Sequence, residues 1–201
     1  MAGADLNRIM DNLRVSLPGA IDATIQMELF NVLDDFFQGT NIWREDIELS
    51  ITPATTSYDL SPSTNARVVR VIGVRDSNDR QIKAAIDLKT DELELAEAPS
   101  SATSYFAEVS LTIKDPVNSE GFPVIPPWII GLYKNTIIDG VLGRMMAQPA
   151  KPYSNTSLAA FHERRFTSGV SVARVEAQRR YVFGGQVWRF PQQFNRRKTY
   201  R

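Results

Sequence analysis

The stretch from Pro126 to Met146 constrains this chain more than any other. Two prolines, Pro126 and Pro127, stand ahead of it, where a fixed backbone angle and a missing donor suit a first helical turn. Pro149 and Pro152 follow and forbid its continuation. Between them Ile129, Tyr133, Ile137, Val141 and Met145 recur every fourth residue, with Ile138, Leu142 and Met146 in the adjoining row. Gly131, Asn135 and Asp139 are expected on the other side. Lys134, Asp139 and Arg144 interrupt the run, so no apolar stretch reaches the ~18 residues a membrane span needs. The pattern predicts a core helix covered on more than one side. Gly140 and Gly143 each cost about 1 kcal/mol relative to alanine inside a helix, which points to close packing there, within the bundle or against another subunit.

The elements before it change period once. Leu6, Ile9, Met10, Leu13 and Leu17 recur at helical spacing until Pro18-Gly19 breaks the pattern. Ile21, Ile25, Leu29, Val32, Leu33 and Phe36 make the stripe of a second helix, expected to end at Gly39. From Trp43 the period becomes two: Ile47, Leu49 and Ile51 alternate with Glu48 and Ser50, and a short strand follows around Tyr58 and Leu60. Arg67 to Arg75 is apolar on both faces, Val68, Ile72 and Val74 against Val69 and Val71, and reads as a central strand. Asp76-Ser77-Asn78-Asp79 turns it toward a hairpin partner at Ile82 and Ile86 to Leu88. Leu93 and Leu95 mark another short strand. Tyr105, Ala107, Val109, Leu111 and Ile113 alternate with Glu108, Ser110 and Thr112 in a long one.

After the central helix a last helix is expected from about Ser157 to Tyr181, with Leu158, Phe161, Phe166, Val170, Val172 and Val175 as its apolar positions and one solvated face. Gly184-Gly185 closes it. The fold class is therefore α+β. About four helices form a bundle from residues 1–42 and 123–183, an antiparallel β-sheet domain is inserted at 43–122, and 184–201 is an extended C-terminal arm.

Charge and residue usage remove most enzymatic classes. The chain of 201 residues has no cysteine, which excludes thiol nucleophiles and thiolate metal sites and suits synthesis in a reducing compartment. Its one histidine, His162, has no second histidine to share a metal, and a surface or packing role is favoured. There is no Gly-x-Ser-x-Gly elbow, phosphate loop or dinucleotide fingerprint. Asp34-Asp35, Glu45-Asp46 and Asp91-Glu92 are adjacent pairs whose members point in different directions, so solvated surface charge explains them better than glycan hydrolysis does. No catalytic residue, cofactor or metal is expected.

The last 24 residues differ. From Gln178 to Arg201 there are seven basic residues, six aromatics and no acid, while the first 177 carry 16 basic against 23 acidic groups. An acidic body therefore bears a basic, aromatic tail. Such a tail suits nucleic acid, with cations on phosphates and rings on bases. It equally suits the groove of a protein partner, where Trp, Phe, Tyr and Arg are the usual anchors. Trp188-Arg189-Phe190-Pro191 alternates like an added strand and favours the partner.

Several local patterns, in their order along nearly the whole chain, resemble the head-to-tail adaptor (tail-tubular or head-completion) proteins of short-tailed bacteriophages. They are Gln26-Met27-Glu28-Leu29-Phe30-Asn31 leading to Thr40-Asn41-Ile42-Trp43-Arg44-Glu45, the insertion with Tyr58-Asp59-Leu60, Pro126-Pro127-Trp128 and the helix end Gly140-Val141-Leu142-Gly143-Arg144-Met145-Met146, Lys151-Pro152-Tyr153-Ser154, His162-Glu163-Arg164-Arg165-Phe166, and Trp188-Arg189-Phe190-Pro191. The resemblance implies a virion structural protein at the head-tail interface, made in the host cytoplasm. It would form a homo-oligomer of twelve subunits beneath the portal protein, seat the tail nozzle and possibly fibres, and continue the channel for genomic DNA without sequence-specific binding or membrane contact. It also implies portal contact through the arm, assigned to Trp188, Arg189, Phe190, Phe194, Arg196, Arg197 and Tyr200. A nucleic-acid-binding protein acting through the tail is the alternative, and a cell-wall hydrolase a more distant one.

Overall fold

The structure, a computed structural model, describes residues 2–62, 66–87, 92–114 and 125–179. The expected α+β architecture is present: four helices and two antiparallel sheets among those residues. Helices α1 (Ala2–Ser16) and α2 (Asp22–Thr40) precede the strands, and α3 (Pro127–Ala147) and α4 (Thr156–Arg179) follow them.

Each helix is placed by its apolar row. Leu6, Ile9, Leu13 and Leu17 lie fully inside, as do Ile25, Leu29, Val32, Leu33, Phe36 and Phe37 of α2. Burying a side chain of this size contributes about 1.5–3 kcal/mol. On α3 the row Ile129, Tyr133, Ile137, Val141 and Met145 is buried as the spacing requires. Asp139 departs from expectation: it is buried rather than on an open side.

The glycines show why α3 is central. A Cβ on Gly140 would lie 2.7 Å from Val32 Cγ1 and 2.8 Å from Phe166 Cδ2, and one on Gly143 would lie 3.1 Å from the backbone nitrogen of Glu163. From the other helix, a Cβ on Gly169 would lie 2.5 Å from the Thr136 side chain. Both α3 glycines therefore serve packing within the bundle, where α4 and α2 press against them.

The predicted end of α2 shifts by a residue for a similar reason. The helix runs through Gly39 to Thr40, and Asn41 takes the left-handed conformation at φ 53° and caps it through its N–H to the Phe37 carbonyl. Gly39 instead admits α4: its missing Cβ leaves Val170 Cγ1 at 3.2 Å from that site, and its carbonyl accepts a 2.7 Å bond from Arg174 Nε.

Seven strands make up the insertion. They are β1 (Arg44–Ile51), β2 (Ser57–Asp59), β3 (Ala66–Asp76), β4 (Gln81–Ile82), β5 (Ala84–Asp87), β6 (Glu92–Leu95) and β7 (Thr103–Ile113). One sheet has the order β1-β7-β3-β4 and the other β2-β6-β5. The central strand is thus β7, paired along its length with β1 on one side and β3 on the other. The segment from Arg67 to Arg75 pairs with β7 throughout, but on its other side only with the two residues of β4.

Two register shifts, between Val68 and Arg70 and between Val71 and Gly73, explain its misleading pattern. Each bulge adds one residue, so Val68, Val71 and Val74 stand opposite Leu111, Val109 and Ala107 and share a face at a spacing of three. Ile72 is left partly exposed. The predicted hairpin partner is split accordingly: Ile82 pairs with Val74, whereas Ile86 pairs with Leu93 in the second sheet.

The face of β7 expected to be polar and solvated is also covered. Ser110 and Thr112 are fully buried against α2, donating to Asn41 Oδ1 at 3.2 Å and Asp34 Oδ1 at 2.7 Å. The insertion is therefore docked on the bundle through hydrogen bonds as well as apolar contact.

Two substitutions on one helix should act in opposite directions. Gly140→Ala forces a methyl group between Val32 and Phe166 and is expected to cost about 1–3 kcal/mol. Gly131→Ala, at an exposed site with nothing within 4 Å, is expected to add up to ~1 kcal/mol of stability. Urea unfolding of the two variants checks both signs.

A further test uses the turn between α1 and α2. Arg14 holds Asp22 through bonds of 2.9 and 2.8 Å, and that hydrogen bond lowers the Asp22 pKa from its ordinary value. The pair therefore adds stability that is present above the ordinary aspartate range and lost as pH falls through the depressed value. Asp22→Asn is expected to flatten this part of the acid limb, read from melting temperature against pH below about 4.

Candidate functional site

The seam between α3 and α4 carries the densest polar chemistry of the described residues. The buried Asp139 receives two partners from α4: His162 Nδ1 at 2.7 Å from Oδ1, and Arg165 Nε at 2.9 Å from Oδ2. His162 is itself largely covered, while Arg165 is half-exposed and stacks at 5.5 Å over the Phe161 ring. One turn-pair further along, Tyr133 donates its hydroxyl to Glu176. A buried carboxylate held by two donors is stable because both its oxygens are satisfied. The seam offers no nucleophile, and there is no group of three or more metal-ligating side chains among the described residues. His162 is thus a packing histidine with a defined partner, which the sequence could not supply because Asp139 lies 23 residues away.

A second polar joint closes the insertion onto the bundle. Arg44, the first residue of β1, reaches three elements. Nε donates to the Asn41 carbonyl behind α2, Nη1 pairs with Glu108 of β7 at 3.0 Å, and Nη2 donates to the Ala177 carbonyl in the last turn of α4. Trp43 beside it is buried, edge-on to Phe37 at 5.2 Å.

The adjacent carboxylates resolve into structural contacts. Asp34 accepts from Gln38 and Thr112, Asp35 pairs with Arg144, Asp46 with Arg75, and Glu92 accepts from Ser57. A cleft of about 420 Å³ lies on the insertion beside Gln81, Lys83, Glu97, Pro99 and Tyr105. No two of its carboxylates face each other, since Glu97 is the only acid that lines it.

The outward face of α4 is where the structure departs most from the sequence reading. Of the apolar positions expected to be core, Phe166 alone is buried; the inward row is Ala159, Phe166, Ala173 and Ala177. Phe161 is 50% exposed and Val172 53%, with Leu158 and Val175 similarly open. These four, with Arg165 and Ser168, follow one another at intervals of three or four and make one stripe. Trp128 and Leu132 of α3 are also exposed and stand in the same row as Asp139. Because Asp139 bonds Arg165, the rows of both helices open on the same side of the bundle.

The arm residues assigned to portal contact, Trp188, Arg189, Phe190, Phe194, Arg196, Arg197 and Tyr200, lie outside the described residues. No family model matches the chain, and no curated protein matches it. None of the helices among the described residues is long and apolar enough to cross a membrane.

The Asp139 seam is expected to be structural. Asp139→Ala removes the acceptor of two donors and should cost about 2–3 kcal/mol, whereas Arg165→Ala, on the solvent side, should stay within about 1 kcal/mol. Chemical denaturation of the two variants measures the difference.

Proposed function

We propose that this chain is a virion structural protein, a head-to-tail adaptor of a short-tailed bacteriophage whose ring joins the portal to the tail nozzle and continues the DNA channel. The observation that carries the reading is the open apolar stripe of α4 on a helical bundle interrupted by a sheet domain. A residue row of this kind, Leu158, Phe161, Val172 and Val175, is what an assembly subunit presents when isolated from its neighbours. The element order supports the same reading, because it follows the motifs by which the sequence resembles these adaptors. The polar clusters support it from another direction. Asp139, Asp34, Asp35 and Glu108 are each engaged in holding elements together rather than aimed at a substrate.

In this function the bundle forms a twelve-subunit ring, the insertion projects from it, and the arm beyond Arg179 engages the portal through its aromatic and basic residues. The net negative charge of the first 177 residues suits a wall past which a genome slides without sticking. Removal of residues 185–201 is expected to leave a folded protein, by its melting curve, that no longer adds to purified portal rings. Electron microscopy of the mixture reads the outcome: with the full chain a ring appears beneath the portal. Docking by the truncated form would overturn the role of the arm, and absence of any added ring with the full chain would overturn the function.

A further inference from the structure

The open face of α4 has an occupant whose chemistry can be stated. The stripe points away from the bundle, since the inward row of α4 is Ala159, Phe166, Ala173 and Ala177 and its contacts to α2 run through Val170 and Arg174. Around the stripe the helix carries Arg164, Arg165, Arg174 and Arg179 against Glu163 and Glu176, a surplus of cations. The C-terminal arm is a poor occupant: it too is basic, with no acid from Gln178 onward, and like charges facing each other repel.

A different face of the same molecule has the opposite character. Helix α2 carries Asp22, Glu28, Asp34 and Asp35 and no base. Its outward side exposes Met27, and Ile21 just before it is 72% exposed. An acidic face with open apolar residues is thus available on the side of the bundle away from the basic apolar stripe.

We infer that the α4 stripe of one copy docks on the outward α2 face of a second copy. The two faces are different and lie on different sides, so the contact is head-to-tail, which builds rings where the rotation closes. Phe161 and Val172 supply apolar anchors, Met27 and Ile21 receive them, and the charge surplus of each helix orients the approach. This deepens the adaptor reading by naming the two faces of its subunit contact.

The absence of native cysteine makes the test clean. Single variants Val172→Cys and Met27→Cys, together with Phe161→Cys and Ile21→Cys, are made in the full chain, oxidised and separated under denaturing conditions. Mixtures of one α4 variant with one α2 variant are expected to cross-link, and a chain bearing both to give a ladder beyond the dimer. Each single variant alone should remain monomeric. Phe161→Glu, with an unchanged melting curve, is expected to weaken assembly at least tenfold by sedimentation.

Self-linking of Val172→Cys would mean a symmetric α4 contact and would overturn the inference. So would the absence of any α4–α2 product, or a Val172→Cys thiol shielded in the full chain and freed by removal of residues 185–201, which would make the arm the occupant. Failure of the adaptor reading looks different. A chain that gives the ladder but adds no ring to a portal keeps this contact and loses that function, and a chain that docks on the portal without the α4–α2 link does the reverse.

Discussion

The close approach of α3 and α4 is the constraint on which the rest of the molecule depends. It requires hydrogen rather than a methyl group at Gly140, Gly143 and Gly169, and each of these sites is filled from across the interface by Phe166, the Glu163 backbone or Thr136. Glycine inside a helix is conformationally costly, so the compensation must come from contact. Here it comes from dispersion at short range and from a buried carboxylate, Asp139, whose two donors could not reach it if the helices stood further apart. With that pair fixed, α2 packs on it through Val32, and β7 packs on α2.

The helices were largely legible because their signals are local. Prolines and the four-residue row gave the limits of α3 within a residue or so, and the buried rows of α1 and α2 are the ones their spacing predicts. The sheet was less so. A bulge inserts one residue without changing composition, and two of them turn a period of two into a period of three; the valines of β3 therefore suggested two apolar faces where one exists. Ser110 and Thr112 look like a solvent face until Asn41 and Asp34 of a distant helix are placed opposite them. In both cases the missing information is a partner remote in sequence.

The same limit governs the functional surface. Hydrophobicity in α4 says that Leu158, Phe161, Val172 and Val175 need cover, and says nothing about whether the cover belongs to the same chain. The alanines at 159, 173 and 177 are the subtler signal: a helix that approaches its neighbours closely presents small residues inward and leaves its larger ones outside. Read with Gly169, they show that α4 is packed by its small side. Its large residues are then free to serve association, an arrangement consistent with a subunit rather than with an enzyme.

Arg44 gives the architecture a mechanical character. One guanidinium group ties the start of β1 to β7 and to the last turn of α4, the turn from which the chain continues toward its C-terminus. Tension applied to the chain beyond Arg179 is thus felt at the root of the sheet as well as along the helix. The load is shared between two elements that leave the bundle separately, and the joint behaves as a tie-rod across the corner where they meet.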